Sequence, residues 1–306
     1  MPLKKLTLKA GINKEITRYS AENGWYDCDK IRFRQQFPEK IGGWQRISQN
    51  SFQGVCRSLW AWLTLSNQKL VAVGTNLKFY LELGGTYYDI TPLRASTTNS
   101  TTFAATNGST TLTVTDNSHG AKVDDFVTFS SAVSLGGAIT ATVLNIEYQI
   151  VTVPSVNTYT VTASVAANAS DSGNGGSATD SAYQISPGPA VPVPLGGWGA
   201  GAWSDGTWGN GGTSTVSLRT WSQSNFGQDL IFGPKQGPIY YWTANDTVTT
   251  RGVLLSSLSG ASDVPTVQNL ILISDINRFV FCFGANTIGT STQDPMLIRW
   301  SDQEDA

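Results

Sequence analysis

Arg57-Ser58-Leu59-Trp60, then Lys69-Leu70-Val71-Ala72-Val73-Gly74, then Lys78-Phe79-Tyr80 is the stretch that decides the fold of this chain. It can be laid over Leu218-Arg219-Thr220-Trp221, Asp229-Leu230-Ile231-Phe232-Gly233 and Ile239-Tyr240-Tyr241-Trp242. A weaker third copy is Leu270-Ile271-Leu272-Ile273, Arg278-Phe279-Val280-Phe281-Cys282-Phe283-Gly284 and Leu297-Ile298-Arg299-Trp300. Each copy alternates apolar with polar residues and breaks at Gly, Asn or Ser, the mark of short antiparallel strands. A unit of roughly forty residues with three or four strands has the period of a propeller blade. One such unit cannot bury both faces alone, so neighbours must cover it. Three do not close a ring, and the expectation is a chain that continues beyond residue 306.

Composition agrees. Only 14% of the 306 residues are charged, while 40% are hydrophobic and 10% aromatic, with ten Trp and 31 Gly. That is too apolar for a disordered chain. It is rich in the β-branched and aromatic residues of strands rather than in helix formers. We therefore expect an all-β protein: propeller-like blades of antiparallel strands with an inserted small β-sandwich (Ig-like) domain.

Three regions separate along the chain. Residues 1–95 hold an N-terminal segment and the first blade. Residues 96–186 are rich in Thr and Ser, with alternating strands such as Thr111–Thr115 and Thr158–Thr162, and read as the inserted sandwich. Residues 187–306 hold a Gly/Trp linker, opened by Pro187, Pro189, Pro192 and Pro194, and the further blades. The charge is uneven. From Lys4 to Arg57 there are eleven Lys and Arg against five Asp and Glu; from Thr101 to Asp180 there is one Lys against six acids. The net charge of -2 gives no global attraction to nucleic acid.

Catalytic chemistry has little to stand on. A nucleophilic triad needs a His, and the single one, His119, sits in Asn117-Ser118-His119-Gly120 and reads as a solvated turn residue. Cys28, Cys56 and Cys282 are widely spaced and read as small buried thiols, with neither a disulfide framework nor a zinc pattern. No phosphate-cradling glycine motif appears. Asp27, Asp29 and Glu39 could be imagined as an acid and base, but nothing fixes the separation that a glycosidase needs. Ser204-Asp205-Gly206-Thr207-Trp208 matches a propeller-glycosidase turn in content, not in spacing. Asp124-Asp125 and Asp302, Glu304, Asp305 read as turn and surface charges. No catalytic residue, metal or cofactor is expected. No apolar run is long enough to span a membrane, and nothing at the N-terminus resembles a signal peptide.

Two sets of residues remain as candidate contacts. Lys30, Arg32 and Arg34 alternate, so on a strand all three share a face, which could meet a DNA channel or an adaptor protein. Trp198, Trp203 and Trp208, about five residues apart among glycines, suit packing within the chain or across a subunit boundary, or contact with a glycan.

Longer strings carry a resemblance. Leu218-Arg219-Thr220-Trp221-Ser222-Gln223-Ser224-Asn225-Phe226-Gly227-Gln228-Asp229-Leu230-Ile231, the Gly-Trp tract before it, and Asp294-Pro295-Met296-Leu297-Ile298-Arg299-Trp300-Ser301-Asp302-Gln303-Glu304 resemble segments of the tail nozzle family of short-tailed bacteriophages, also called tail tubular protein B or tail hub. Gly24-Trp25-Tyr26-Asp27, Ile31-Arg32-Phe33 and Pro38-Glu39-Lys40-Ile41-Gly42-Gly43-Trp44 are similar too. The resemblance covers about two-thirds of the chain. It implies a structural virion protein made in the host cytoplasm and placed in the tail. It further implies a homo-oligomer, a hexamer, below the portal and a tail adaptor protein, docking tail fibre or needle proteins around a channel that genomic DNA passes without sequence readout. It implies no enzyme. A carbohydrate-binding adhesin or a propeller glycosidase are the alternatives.

Overall fold

The computed structural model describes residues 8–188 and 220–304, apart from 21, 44, 47, 169, 170, 172 and 246. The chain divides into two compact units, Met1–Gln49 and Asn50–Ala306.

The first unit holds one hairpin, β1 (Ile31–Arg34) with β2 (Phe37–Lys40). Gln35 and Gln36 turn the chain with φ of 48° and 71°, both left-handed, as a two-residue hairpin turn needs. Among the described residues of this unit none is buried.

The second unit is built from antiparallel sheets, none of them closed. The first sheet is a meander of β3 (Cys56–Leu63), β4 (Lys69–Thr75), β5 (Phe79–Leu83) and β6 (Thr86–Asp89). An inserted sheet follows: β7 (Leu93–Thr97), β8 (Thr102–Ala105), β9 (Thr111–Thr115), β10 (Phe126–Ser130), a single helical turn α1 (Ala141–Leu144), β11 (Glu147–Ser155), β12 (Thr158–Thr162) and β13 (Asp180–Gln184). A second meander holds β14 (Trp221–Phe226), β15 (Asp229–Pro234), β16 (Tyr240–Trp242) and β17 (Val253–Leu254). A third holds β18 (Leu270–Ile273), β19 (Val280–Phe283) and β20 (Ile298–Trp300).

The three meanders stack face to face, and strand alternation explains how. On β15, Leu230 and Phe232 point toward the first sheet, where they join Leu70, Ala72, Phe79 and Leu81 in one core. Ile231 between them points the other way, into a second core with Ile271, Ile273, Val280 and Cys282 of the third sheet. Phe79 and Phe232 stack across the first interface with ring centroids 4.2 Å apart.

The repeated glycines let neighbouring sheets approach. A Cβ on Gly74 would lie 2.4 Å from the ring of Trp221, the first residue of β14; one on Gly233 would meet the Pro238 carbonyl at 2.5 Å and the Gln268 side chain at 3.0 Å, at the entry to β18. Only glycine leaves that room. Hydrogen bonds tie β14, the first strand of the second meander, to both neighbouring sheets: Trp221 Nε1 donates to the Thr75 carbonyl of β4 at 2.7 Å, and Ser222 Oγ accepts the Ile271 N–H of β18 at 2.7 Å.

The inserted region is one seven-stranded sheet in the order β7-β13-β10-β11-β12-β9-β8. Strand β11 belongs to both halves, and its pairing with β12 shifts register between Ile150 and Thr152 and again before Ser155, which bends it. The halves face each other across a core of its own, with Phe103 of β8 edge-on to Phe129 of β10 at 4.9 Å.

Candidate functional site

The basic hairpin is the first site the sequence singled out. Arg32 and Arg34 lie on the exposed face of β1, while Ile31 and Phe33 take the half-buried face. Lys30 precedes the strand in a left-handed conformation, φ 57°, so strand pleating does not align it with the other two. Arg32, well exposed, pairs with the half-buried Glu39 directly across the hairpin at 3.2 Å. Phe33 meets Trp25 edge-on at 6.1 Å. Tyr19 and Phe37 are 94% and 72% exposed, so this unit offers large apolar side chains beside its cations. Trp198, Trp203 and Trp208 lie outside the described residues.

The single histidine is not where the sequence suggested. His119 is 3% exposed. The turn forms as expected, with Ser118 and Gly120 both at positive φ, but it folds inward. The ring sits edge-on to Tyr159 at 4.9 Å. Its Nδ1 accepts the Ala121 N–H at 3.0 Å, and its Nε2 lies 3.2 Å from the Ser155 carbonyl. That pattern fits the neutral tautomer protonated at Nε2. Beside it, Tyr159 OH lies 3.0 Å from Tyr183 OH, and Tyr183 donates to Asp116 at 2.6 Å. Burial pushes both phenols well above the usual tyrosine range. Asp116 also accepts from Thr97 and Ser100 at 2.8 and 2.9 Å.

The cysteines differ from expectation as well. All three are free, yet only Cys282 is buried; Cys28 is half-buried and Cys56 exposed. Burial pushes the Cys282 thiol up to about 12, so it is a packed thiol rather than a nucleophile. Among the described residues no cluster of His, Cys, Asp and Glu could hold a metal ion. None of their helices is long and apolar enough to cross a membrane.

Sequence reading missed the strongest electrostatic feature, a charge junction where three sheets meet. Lys78 and Asp89 come from the first sheet, Glu147 and Gln184 from the inserted sheet, and Arg251 from the strand entry of the second meander. The Lys78 side chain is only 4% exposed. Its ammonium pairs with Asp89 at 3.0 Å and with Glu147, and lies 4.3 Å from the ring centre of Phe126. Arg251 approaches Asp89 at 3.5 Å and Glu147 at 3.7 Å. Gln184 donates to both carboxylates. Two cations thus face two carboxylates, which is what lets a lysine be buried at all. Burial alone would raise Asp89, but Arg251, Lys78 and hydrogen bonds from Thr91 hold it below the usual carboxylate range. The available signal was Lys78 itself, a charge wedged between Leu77 and Phe79 in an apolar run.

The third meander offers two further surfaces. Its outer face carries two cross-strand rows, Leu270-Phe283-Ile298 and Leu272-Phe281-Trp300, with Trp300 66% exposed. On its inner side is a cleft of about 420 Å³, floored by Val280 and Cys282 and rimmed by Asp263, Arg299 and Asp302. Arg299 is already engaged there, with the carbonyls of Asn286 and Asp263.

No family model matches the chain, and no curated protein does. Among solved structures it is similar to the phage phi92 endosialidase, at 15% sequence identity and a TM-score of 0.25, over 81% of this chain and 36% of that one. The chain thus spans about a third of that structure's length. A likeness at this level assigns no activity. The expectation of a chain that is no enzyme is withdrawn all the same: this solved structure, one of those it is similar to, is by name an enzyme.

Proposed function

We propose that this chain is a structural protein of a short-tailed phage tail, part of a nozzle ring that continues the DNA channel below the portal and adaptor. The observation that carries this reading is the stack of three meanders, with first strands side by side and cores between successive faces. Consecutive propeller blades pack in this way. Within the described residues, the strings that resemble the tail nozzle family fall on this stack and on the N-terminal unit, while the Gly-Trp tract lies outside those residues. The N-terminal unit adds support. It has no buried residue among those described, and a segment without a core gains order by docking on a partner. Its exposed cations beside exposed Tyr19 and Phe37 suit a protein partner such as an adaptor. Lys30 and Arg34 would also meet passing phosphates without reading sequence. In this reading the inserted sheet stands on the ring as the mount for fibre or needle proteins.

Imaging of purified particles that carry a tag on this chain tests the reading. Label in a ring between the portal and the tail tip is expected. A particle without the chain, or with it only in peripheral fibres, sinks the proposal.

A further inference from the structure

We propose that the junction of Lys78, Asp89, Glu147 and Arg251 is an acid-released latch that clamps the inserted sheet onto the first and second meanders. Three features of the molecule support it. The inserted sheet has a core separate from those of the meanders, so it keeps its own fold when it lifts. The chain leaves the first meander and returns to it at adjacent points, with the Ile185 N–H bonded to the Pro92 carbonyl at 3.0 Å, which supplies a two-stranded hinge. Between these lies the junction, where each carboxylate comes from a different side: Asp89 from the first meander, Glu147 from the inserted sheet.

The electrostatics set the direction of release. With both carboxylates ionised the cluster is neutral. Protonating Asp89 leaves Lys78 and Arg251 as two cations facing one carboxylate, and Lys78 has no solvent to turn to. The other groups facing the cluster do not compensate. Gln184 and Phe126 carry no charge, and Tyr80, pushed up to about 12 mainly by burial, stays neutral throughout. Asp89 is held below its ordinary value. Its contribution is therefore present above the unfolded value of about 4 and is lost as pH falls through the folded one. The latch holds through neutral and mildly acidic pH and opens below the ordinary carboxylate range.

Small-angle scattering of the full chain, followed from pH 7 to about pH 2.5 beside far-ultraviolet circular dichroism, tests this. The expected result is an increase in radius of gyration while the strand signal stays constant. The double variant Lys78→Met with Glu147→Leu removes one cation and one carboxylate and leaves the Asp89–Arg251 pair. It is expected to stay compact at the pH where the unaltered chain has opened. Unchanged dimensions down to the lowest pH, expansion that coincides with loss of the strand signal, or opening of the double variant at the same pH would each overturn the proposal. If the double variant fails to accumulate, the pH series on the unaltered chain decides alone.

Discussion

The N-terminal unit and the inserted sheet carry opposite charge in the sequence and use it in opposite ways. In the N-terminal unit the charges stay in water: Lys14 pairs with Asp27, and Arg32 with Glu39, on side chains that are about half exposed or more. In the inserted sheet the acids are structural. Asp116 gathers three hydroxyls; Asp125 accepts the Lys122 N–H at 2.8 Å; Asp171 caps the Ile139 and Asn168 N–H groups; Asp180 accepts from Asn99. Glu147 sits in the junction, and only Asp124 is an exposed acid. Six acids against one lysine therefore do not make an acidic surface. A local charge count says which residues are there, and burial decides whether a partner can feel them.

Four substitutions probe that contrast. Lys78→Met should cost most, about 3–5 kcal/mol, because it leaves two carboxylates facing one arginine; urea unfolding of the second unit at pH 7 measures it. A loss under about 1 kcal/mol would mean that the junction is effectively solvated. Next comes Asp116→Ala, on the order of 3 kcal/mol, since the buried Tyr183 hydroxyl loses its acceptor away from water and Thr97 and Ser100 lose theirs nearer the surface. The same denaturation experiment reads it, and a neutral outcome would contradict the structural role given to these acids. Asp125→Asn should act in the other direction. Burial holds this carboxyl above its ordinary value, so ionisation at neutral pH works against folding. The amide keeps the acceptor for Lys122, and a small gain in stability at pH 7 that vanishes near pH 3 is expected. Smallest is Arg34→Gln on the exposed hairpin face, within about 0.5 kcal/mol. Its effect should appear instead as weaker, less salt-dependent association with a tail partner, measured by sedimentation at two ionic strengths.

Much of the β architecture was legible beforehand because it is local. The alternation in Ser58–Trp62, Lys69–Gly74 and Phe79–Leu81 places β3, β4 and β5, and Gly74, Gly233 and Gly284 mark the same point in each meander. Pairings across long separations were not legible. Nothing near Leu93–Thr97 says that it bonds to β13 some eighty residues later, nor that the inserted region is one bent sheet rather than two separate ones. The same holds for the side chains. Asn117-Ser118-His119-Gly120 specifies a turn by backbone preference. Whether the ring points to water or between Tyr159 and Ser155 depends on strands elsewhere in the chain. Glu147, 69 positions after Lys78, is a partner only in three dimensions.

The bond between Ile185 and Pro92 also bears on how the chain finds its fold. Folding slows as contacting residues lie further apart along the chain, and the meanders on either side of the insertion are far apart in sequence. Once β7 and β13 have paired, the excursion between them is closed at its base, and the connection from the first meander to the second is effectively shortened by about ninety residues. Early closure of the inserted sheet would thus accelerate assembly of the stack beneath it. The same adjacency makes the insertion a cassette: its length and surface can drift over generations while the strands below keep their registers.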